Sequence, residues 1–182
     1  GIVDTAGIPK NDYYLYQSQW LALDQQPMVH ILPHWNWEIH KSYQQVVDKY
    51  GDIPVRVYSN AGFVELFLNG KSQGRKTFQE KWTSDGRKYQ EGEGSDQLYL
   101  EWRLPYQPGE LHAVAYDHQG QLVAEDRVVT AGKPAKIGLH AEKTKLEPDG
   151  QDLLYLYFDV LDKDGNWVPS ASNQIHFKIE GP

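Results

Sequence analysis

The chain contains 182 residues, of which 40% are hydrophobic and 24% are charged, and its mean hydropathy is −0.66. This composition is typical of a globular protein and excludes a wholly disordered chain, while no run of about 18 apolar residues is present to form a membrane-spanning helix. The 18 basic residues against 25 acidic residues give a net charge of −7, which argues against nucleic acid or an anionic membrane as a partner. Because the chain has no Cys, disulfides, thiol nucleophiles and Cys-ligated metals are excluded.

The beginning of the chain predicts a turn-rich lead followed by one short helix. Residues 1–10 contain no initiator Met, no basic segment and no apolar segment, so we expect no signal peptide in them. The aromatic residues that follow recur at the spacing of one helix face: Tyr13, Tyr16 and Trp20. Asn11 or Asp12 is the expected N-cap, because a side-chain oxygen at that position accepts from the amides of the first turn.

Residues 21–50 have no regular period and are predicted to form an ordered, irregular connector rich in aromatic side chains. Pro33 lies inside the dense aromatic run 30–37. Because proline has no amide donor and its ring clashes with the preceding turn, this run is not a helix interior. We therefore expect an extended path for the connector.

After Gly51 apolar and polar residues alternate, which is the period of half-buried strands. The predicted strands lie around residues 53–57, 64–68, 98–104, 111–115 and 122–129. Asn69-Gly70 predicts a hairpin with a type I′ turn, and the polar segment 80–96 predicts a long loop or a ragged hairpin. At least five short antiparallel strands within about 80 residues are the spacing of a small β-sandwich.

Residues 130–134 lack an apolar period and mark a predicted domain boundary. Strand-like runs follow it at residues 137–139, 154–160 and 175–179. Three strands do not close a sandwich of their own. They either extend the sheets of the first domain or begin a second sandwich, which would leave an exposed edge.

No pattern in the chain predicts a metal site or a catalytic site. His30 and His34 have the spacing of two ligands on one helix face, but Pro33 excludes that helix and no acidic third ligand lies close by in sequence. Residues 162–166 resemble the start of a calcium loop, but their Gly comes two positions too early, so a turn explains them. Acidic pairs lie in Gly-rich loops, where nothing raises a carboxyl pKa by burial. We expect no catalytic residue, no metal and no cofactor.

The aromatic run is the one constellation with a functional interpretation. His34, Trp35, Asn36 and Trp37 combine flat apolar faces with polar edges, which suits stacking on a sugar ring and bonding to its hydroxyls. The same residue types also pack one domain against another, and this structural interpretation is the favoured one. Both interpretations stay open at this point.

Two further Trp residues differ in their setting. Trp102 is in phase with the apolar residues of its strand, which predicts a core position. Trp82 falls in the polar segment 80–96, so it is a freer candidate for stacking on a sugar.

Three runs near the beginning of the chain resemble a known enzyme family. Residues 1–10, residues 13–20 and the run 30–37, which contains Pro33-His34-Trp35-Asn36-Trp37, resemble the end of the catalytic barrel of glycoside hydrolase family 2 β-galactosidases. Further along, the resemblance is to the immunoglobulin-like domains that follow that barrel in many bacterial members. The segments that carry it are residues 57–60, 64–72 and 130–132, with residues 133–182 similar to the first strands of the next such domain.

The resemblance implies a parent enzyme that hydrolyses terminal β-galactosides with retention, using two glutamates about 5 Å apart on barrel strands. Both glutamates would lie before Gly1, since nothing in this chain matches their motifs. Activity of the chain alone is therefore uncertain and expected to be absent. The expected partner is the catalytic barrel in cis, with a β-galactoside or another carbohydrate as a further candidate. The sequence does not distinguish between the bacterial cytoplasm and the periplasm or secretion as the compartment.

We therefore expect a mainly β chain with three regions. Residues 1–50 are predicted to be a barrel-tail helix and aromatic connector, 51–132 an immunoglobulin-like sandwich, and 133–182 part of a second such domain. The expected role is scaffolding within a β-galactosidase. The alternative is a carbohydrate-binding β-sandwich module, with Trp82 as the freer stacking residue.

Overall fold

The computed structural model describes residues 1–37 and 43–180, and within these ranges the chain is mainly β, as predicted. Contacts divide the chain into two compact units, Gly1–Thr130 and Ala131–Pro182. The first unit contains residues 1–50, predicted as the helix and connector, together with residues 51–130 of the predicted sandwich. Its elements are α1 (Asn11–Trp20), β1 (Val29–Leu32), α2 (Tyr43–Tyr50), β2 (Ile53–Ser59), β3 (Phe63–Leu68), β4 (Lys71–Trp82), β5 (Lys88–Gly92), β6 (Leu100–Leu104), β7 (Glu110–Tyr116) and β8 (Leu122–Val129).

Two antiparallel sheets form the first unit, one with strand order β1-β2-β6 and one with order β5-β4-β3-β7-β8. The alternating apolar residues of their strands turn inward and make one hydrophobic cluster. Its strand members are Ile31, Ile53, Val55, Val57, Val64, Leu66, Leu68, Phe78, Leu100, Trp102, Leu104, Leu111, Ala113 and Ala115. Burying each large aliphatic side chain contributes about 1.5–3 kcal/mol, so the period of two in the sequence fixes which face of each strand is the core. The core position predicted for Trp102 is confirmed.

The predicted hairpin at Asn69-Gly70 is confirmed. Both residues have positive φ, 51° and 76°, as a type I′ turn between β3 and β4 requires. The Asn69 side chain also accepts from the Glu110 amide at 2.9 Å and donates to the Pro108 carbonyl at 3.1 Å. This turn therefore joins β3, β4 and the start of β7.

The polar segment 80–96 is more regular than a loop. β4 continues to Trp82 and pairs with β5, with Trp82 opposite Lys88. The turn between them is closed by hydrogen bonds from the Thr83 amide to the Arg87 carbonyl and from the Arg87 amide to Thr83 Oγ1. Of the two predicted alternatives, the hairpin is the one that forms, and Trp82 lies at the end of a strand instead of in a loop.

The connector contains regular structure that its sequence did not predict. β1 pairs antiparallel with β2, with Val29 opposite Ser59, and α2 follows before β2 begins. A four-residue strand is too short to show a period, and only Ile31 in it is buried. The predicted helix α1 forms, but the predicted N-cap is wrong: Lys10 occupies that position and makes no side-chain capping bond.

Asn60 ties the chain before β1 to the sandwich. Its buried side chain accepts from the Met28 amide at 2.9 Å and donates to the Leu21 and Gln26 carbonyls at 3.1 and 2.9 Å. Beside it, Ser59 Oγ donates to the Met28 carbonyl at 2.6 Å. Because buried polar groups are costly when unpaired, these bonds fix where the chain enters β1.

The second unit has one two-stranded sheet, formed by β9 (Lys136–Ala141) and β10 (Leu156–Leu161). The buried Asp162 accepts from the amides of Gly132, Asp164 and Asn166 at 2.8–2.9 Å, which lowers the pKa of its carboxyl and makes residues 162–166 a turn. The strand predicted at 175–179 does not form, because its backbone pairs with no strand among the described residues. Ile179 is 97% exposed there.

In the described part of the chain, no helix has the length and apolar character needed to cross a membrane.

Candidate functional site

Trp35 lies inside the first unit and is fully buried. Its indole Nε1 donates to the Gln107 carbonyl at 2.8 Å, and its ring contacts Tyr106 edge-on at a centroid distance of 5.4 Å. Thr130 Oγ1 donates to the Trp35 carbonyl and accepts from the Gly109 amide at 3.1 Å. The residue therefore joins the connector to the loop before β7 and to the end of β8.

The neighbours of Trp35 are also largely enclosed. Asn36 is 3% exposed, Trp37 is 7% exposed, and His34 is half-buried. His34 Nδ1 accepts from the Asn36 amide at 3.2 Å, and its ring lies 5.3 Å from that of Trp37. The structure thus brings all four predicted residues together, but with their apolar surface turned into this unit. Contact of the run with a sugar or a catalytic barrel stays a prediction.

His30 of β1 occupies a different environment from His34. Its ring stacks on Tyr14 of α1 at a centroid distance of 3.6 Å, and its Nδ1 is 3.6 Å from Asp126 Oδ2 on β8. The same carboxylate accepts from the Ile31 amide at 2.7 Å, so Asp126 connects edge strands of the two sheets. Burial lowers the pKa of His30 even though Asp126 acts in the opposite direction.

The side chain of Trp82 is 65% exposed. It stands at the end of β4, opposite Lys88, so its backbone is fixed by strand pairing. An exposed indole on a rigid strand has the geometry of a stacking platform for a flat apolar partner. Stacking of Trp82 on a sugar stays a prediction.

An apolar cleft of about 440 Å³, which the sequence did not predict, lies between α1 and the β4–β5 hairpin. Leu15, Tyr16 and Trp20 form the α1 side, and Tyr89 belongs to the opposite wall. Trp20 is 74% exposed and its ring lies 4.8 Å from that of Tyr16. The sequence predicts the helical spacing of these aromatics and a hairpin as one alternative for residues 80–96, but it does not show that the helix and the hairpin face each other.

Two properties of the described acidic side chains bear on function: whether they group to hold a metal ion, and in which direction their pKa values are shifted. Within residues 1–37 and 43–180, no group of three or more His, Asp or Glu side chains could hold a metal ion. Hydrogen bonds lower the pKa of each described carboxyl whose pKa departs from its ordinary range: Glu65, Asp85, Asp149, Asp152 and Asp162. A general acid at neutral pH needs a raised carboxyl pKa, so these groups are unsuited to that role.

Two family models match the chain. Residues 51–124 match "Domain of unknown function (DUF4982)", and residues 137–182 match "Glycoside hydrolase family 2 C-terminal domain 5". In its second unit the chain is similar to a C-terminal domain of glycoside hydrolase family 2. The resemblance stated from the sequence is thereby confirmed, and the family 2 match falls in the second unit.

Known family 2 relatives extend the match over the full chain. β-Galactosidase BoGH2A from Bacteroides ovatus is 40% identical over 181 residues, covering 100% of this chain and 18% of that protein. A putative β-glucuronidase from Formosa agariphila is 35% identical over 181 residues, covering 100% of this chain and 15% of that protein. The crystal structure of a β-glycosidase from Bacteroides vulgatus superposes with a TM-score of 0.72 at 35% identity, covering 95% of this chain and 19% of that one. The chain thus spans about a fifth or less of each of these relatives.

Truncation of Trp35 should destabilise the first unit. Trp35→Ala removes a fully buried ring and leaves the Gln107 carbonyl without its donor, so we expect the free energy of unfolding to fall by about 3–5 kcal/mol. Urea unfolding followed by circular dichroism measures this change.

The matched control for that experiment is Trp82→Ala, which removes the same side chain from a position that is 65% exposed. We expect its free energy of unfolding to stay within about 0.5 kcal/mol of the wild-type value. If the two variants were equally stable, Trp35 would not be part of the core.

Proposed function

We propose that this chain is a non-catalytic, scaffolding part of a bacterial family 2 enzyme that hydrolyses terminal β-galactosides. The proposal of a β-galactoside rests on the 40% identity to a β-galactosidase, whereas the relative at 35% identity is described as a putative β-glucuronidase. The three-region division into residues 1–50, 51–132 and 133–182 is part of the same proposal. In it, the two units lie beside a catalytic barrel of the same polypeptide.

The observation that carries the proposal is the exposed apolar surface near the beginning of the chain. Trp20 and Tyr16 form one wall of the apolar cleft beside the β4–β5 hairpin, and both are exposed. Ile2, Val3 and Ile8 are also 37–47% exposed. Exposed apolar surface of this kind favours a protein partner, and the remaining four fifths of the related enzymes supply one in cis.

The second unit supports the same interpretation. Its sheet has two strands, and apolar side chains of both are exposed, among them Leu139 at 61% and Phe158 at 43%. A two-stranded sheet is marginally stable alone. We infer that further protein covers this sheet in the parent enzyme, as expected for part of an immunoglobulin-like domain.

The isolated chain should not hydrolyse glycosides. With 4-nitrophenyl β-galactoside and 4-nitrophenyl β-glucuronide as substrates, we expect no release of nitrophenol above the buffer rate, because nothing in this chain matches the motifs of the two catalytic glutamates that the resemblance implies. Absorbance at neutral pH measures the release. Turnover that scales with the concentration of purified chain would contradict the non-catalytic role.

The scaffolding role is tested in the whole enzyme to which the chain belongs. There we expect Trp20→Ala to lower the temperature of inactivation while KM is unchanged, since the ring would be lost from a packing surface and not from the sugar site. Trp82→Ala is the matched control. Equal inactivation temperatures for wild type and Trp20→Ala would count against barrel packing through α1.

The alternative function is a carbohydrate-binding module, and the exposure of Trp82 on a rigid strand favours it. If Trp82 stacks on sugar, titration with galactose, lactose or a β-linked polysaccharide should change Trp fluorescence saturably. The change should disappear in Trp82→Ala and persist in Trp20→Ala, which removes another exposed indole of the first unit. A flat titration with the wild-type chain would eliminate this alternative.

A further inference from the structure

A second cleft in the first unit has a volume of about 690 Å³. More basic than acidic residues line it, although the chain as a whole is acidic. It lies between β2, β4, β6 and the loop that follows β5. Among the described residues that line it, the cationic ones are Arg56, Arg75, Lys76 and Arg103, and the acidic ones are Glu93 and Glu101. The whole chain has the reverse balance, with 18 basic and 25 acidic residues.

Glu101 organises the cationic side of this basic cleft. Its Oε2 accepts from Arg56 Nε at 3.2 Å, and its Oε1 accepts from Arg103 Nη2 at 3.1 Å. Arg56 and Glu101 are direct partners across the β2–β6 ladder, so strand pairing fixes their positions. One carboxylate therefore orients two guanidinium groups, and the Nε bond of Arg56 uses one of the five donors that each such group carries.

Besides Arg56 and Arg103, the cleft is lined by Lys76 and by the ring of Tyr99. Lys76 Nζ on β4 donates to the Glu101 carbonyl at 2.5 Å, on the open edge of the three-stranded sheet. Tyr99 lies beneath the Arg56 guanidinium, 4.8 Å from its Cζ to the ring centroid. Arg75 is paired with Glu65, 2.8 Å away, and the described lining of the cleft holds four cations and two carboxylates.

We infer that this basic cleft binds an anionic saccharide, meaning a sugar that carries a carboxylate or a sulfate ester. Guanidinium groups held in a fixed orientation can donate to two oxygens of either anion, the planar carboxylate or the tetrahedral sulfate ester. Thr77, Ser95 and Gln97 line the same space and supply the hydroxyl and amide groups that sugar hydroxyls bond to. The inference rests on the proposed function only in placing the chain within a carbohydrate-processing enzyme.

A saccharide fits this cleft better than an acidic protein segment. The space is concave and holds aromatic surface, hydroxyls and amides besides the charges, as sites for small polar ligands do. Protein docking surfaces are instead broad and lose charge toward their centre.

Calorimetric titration of the 182-residue chain at low salt tests the inference with four probes: methyl β-glucuronide, galactose 6-sulfate, methyl β-galactoside and inorganic sulfate. We expect saturable binding of at least one anionic sugar, weaker binding of the neutral galactoside, and loss of affinity as NaCl is raised. Binding of the glucuronide alone identifies a carboxylate as the recognised anion, and binding of the 6-sulfate alone identifies a sulfate ester.

The variant Arg56→Gln/Arg103→Gln should weaken this binding by about tenfold or more, because two charge-assisted contacts are lost. Lys76→Gln is a second variant whose exposed position makes a folding defect unexpected, and it should also weaken binding. The matched control is Arg87→Gln, which removes an 81% exposed Arg at the β4–β5 turn, outside the basic cleft. Thermal unfolding of each variant verifies that it is folded.

Four results would overturn the inference. These are binding of no sugar, equal binding of neutral and anionic sugars, inorganic sulfate binding as tightly as the sulfated sugar, and anionic-sugar binding that survives in both cleft variants. If the double variant instead weakened association with the rest of the enzyme and no sugar bound, the cleft would be a protein docking surface. The non-catalytic role would stand in each case, because its test is the turnover of glycosides.

Discussion

The first unit depends on the burial of Trp35 between the two sheets. The indole has no exposed surface, its Nε1 donor is satisfied by the Gln107 carbonyl, and the Thr130 hydroxyl holds its backbone. The connector that carries this ring runs along the sandwich, where β1 is an edge strand paired with β2. The domain's net stability is of the order of 5–15 kcal/mol, so a single large core residue carries a substantial share of it. The connector and the strands therefore share one hydrophobic core within the first unit.

This arrangement separates the aromatic residues by role. Those of the connector and of β6 fill the core, whereas Trp20 and Trp82 remain on the surface of the first unit. A packing function and a binding function can coexist on such a surface because they use different faces: the apolar cleft beside α1 and the basic cleft beside β6 share no lining residue among those described. Composition could not predict the basic cleft, because the chain as a whole is acidic and the cations of the cleft come from three strands that are distant in sequence.

Sequence reasoning predicted the elements that have a strong local signal. The alternation in β2 and β3 and the Asn69-Gly70 turn specify their structure within a few residues. The sequence could not predict β1, because its position depends on long-range hydrogen bonds. Asn60 accepts from the Met28 amide, 32 residues away, and Asp126 accepts from the Ile31 amide, 95 residues away. The strand predicted at 175–179 has the right alternation but pairs with no strand in the described chain, which shows that pattern alone does not make a sheet. For the candidate site, composition identified the aromatic run but could not show that Trp35 points inward.

Hydrogen exchange of the amides in the connector tests most directly whether it belongs to the core. The Met28 amide donates to Asn60 Oδ1 and the Ile31 amide donates to Asp126 Oδ2. If the connector and the sandwich open as one cooperative unit, these two amides should exchange with the same free energy of opening as the central amides of β3 and β7. Exchange of Met28 and Ile31 as fast as that of the exposed turn at residues 83–87 would contradict the account.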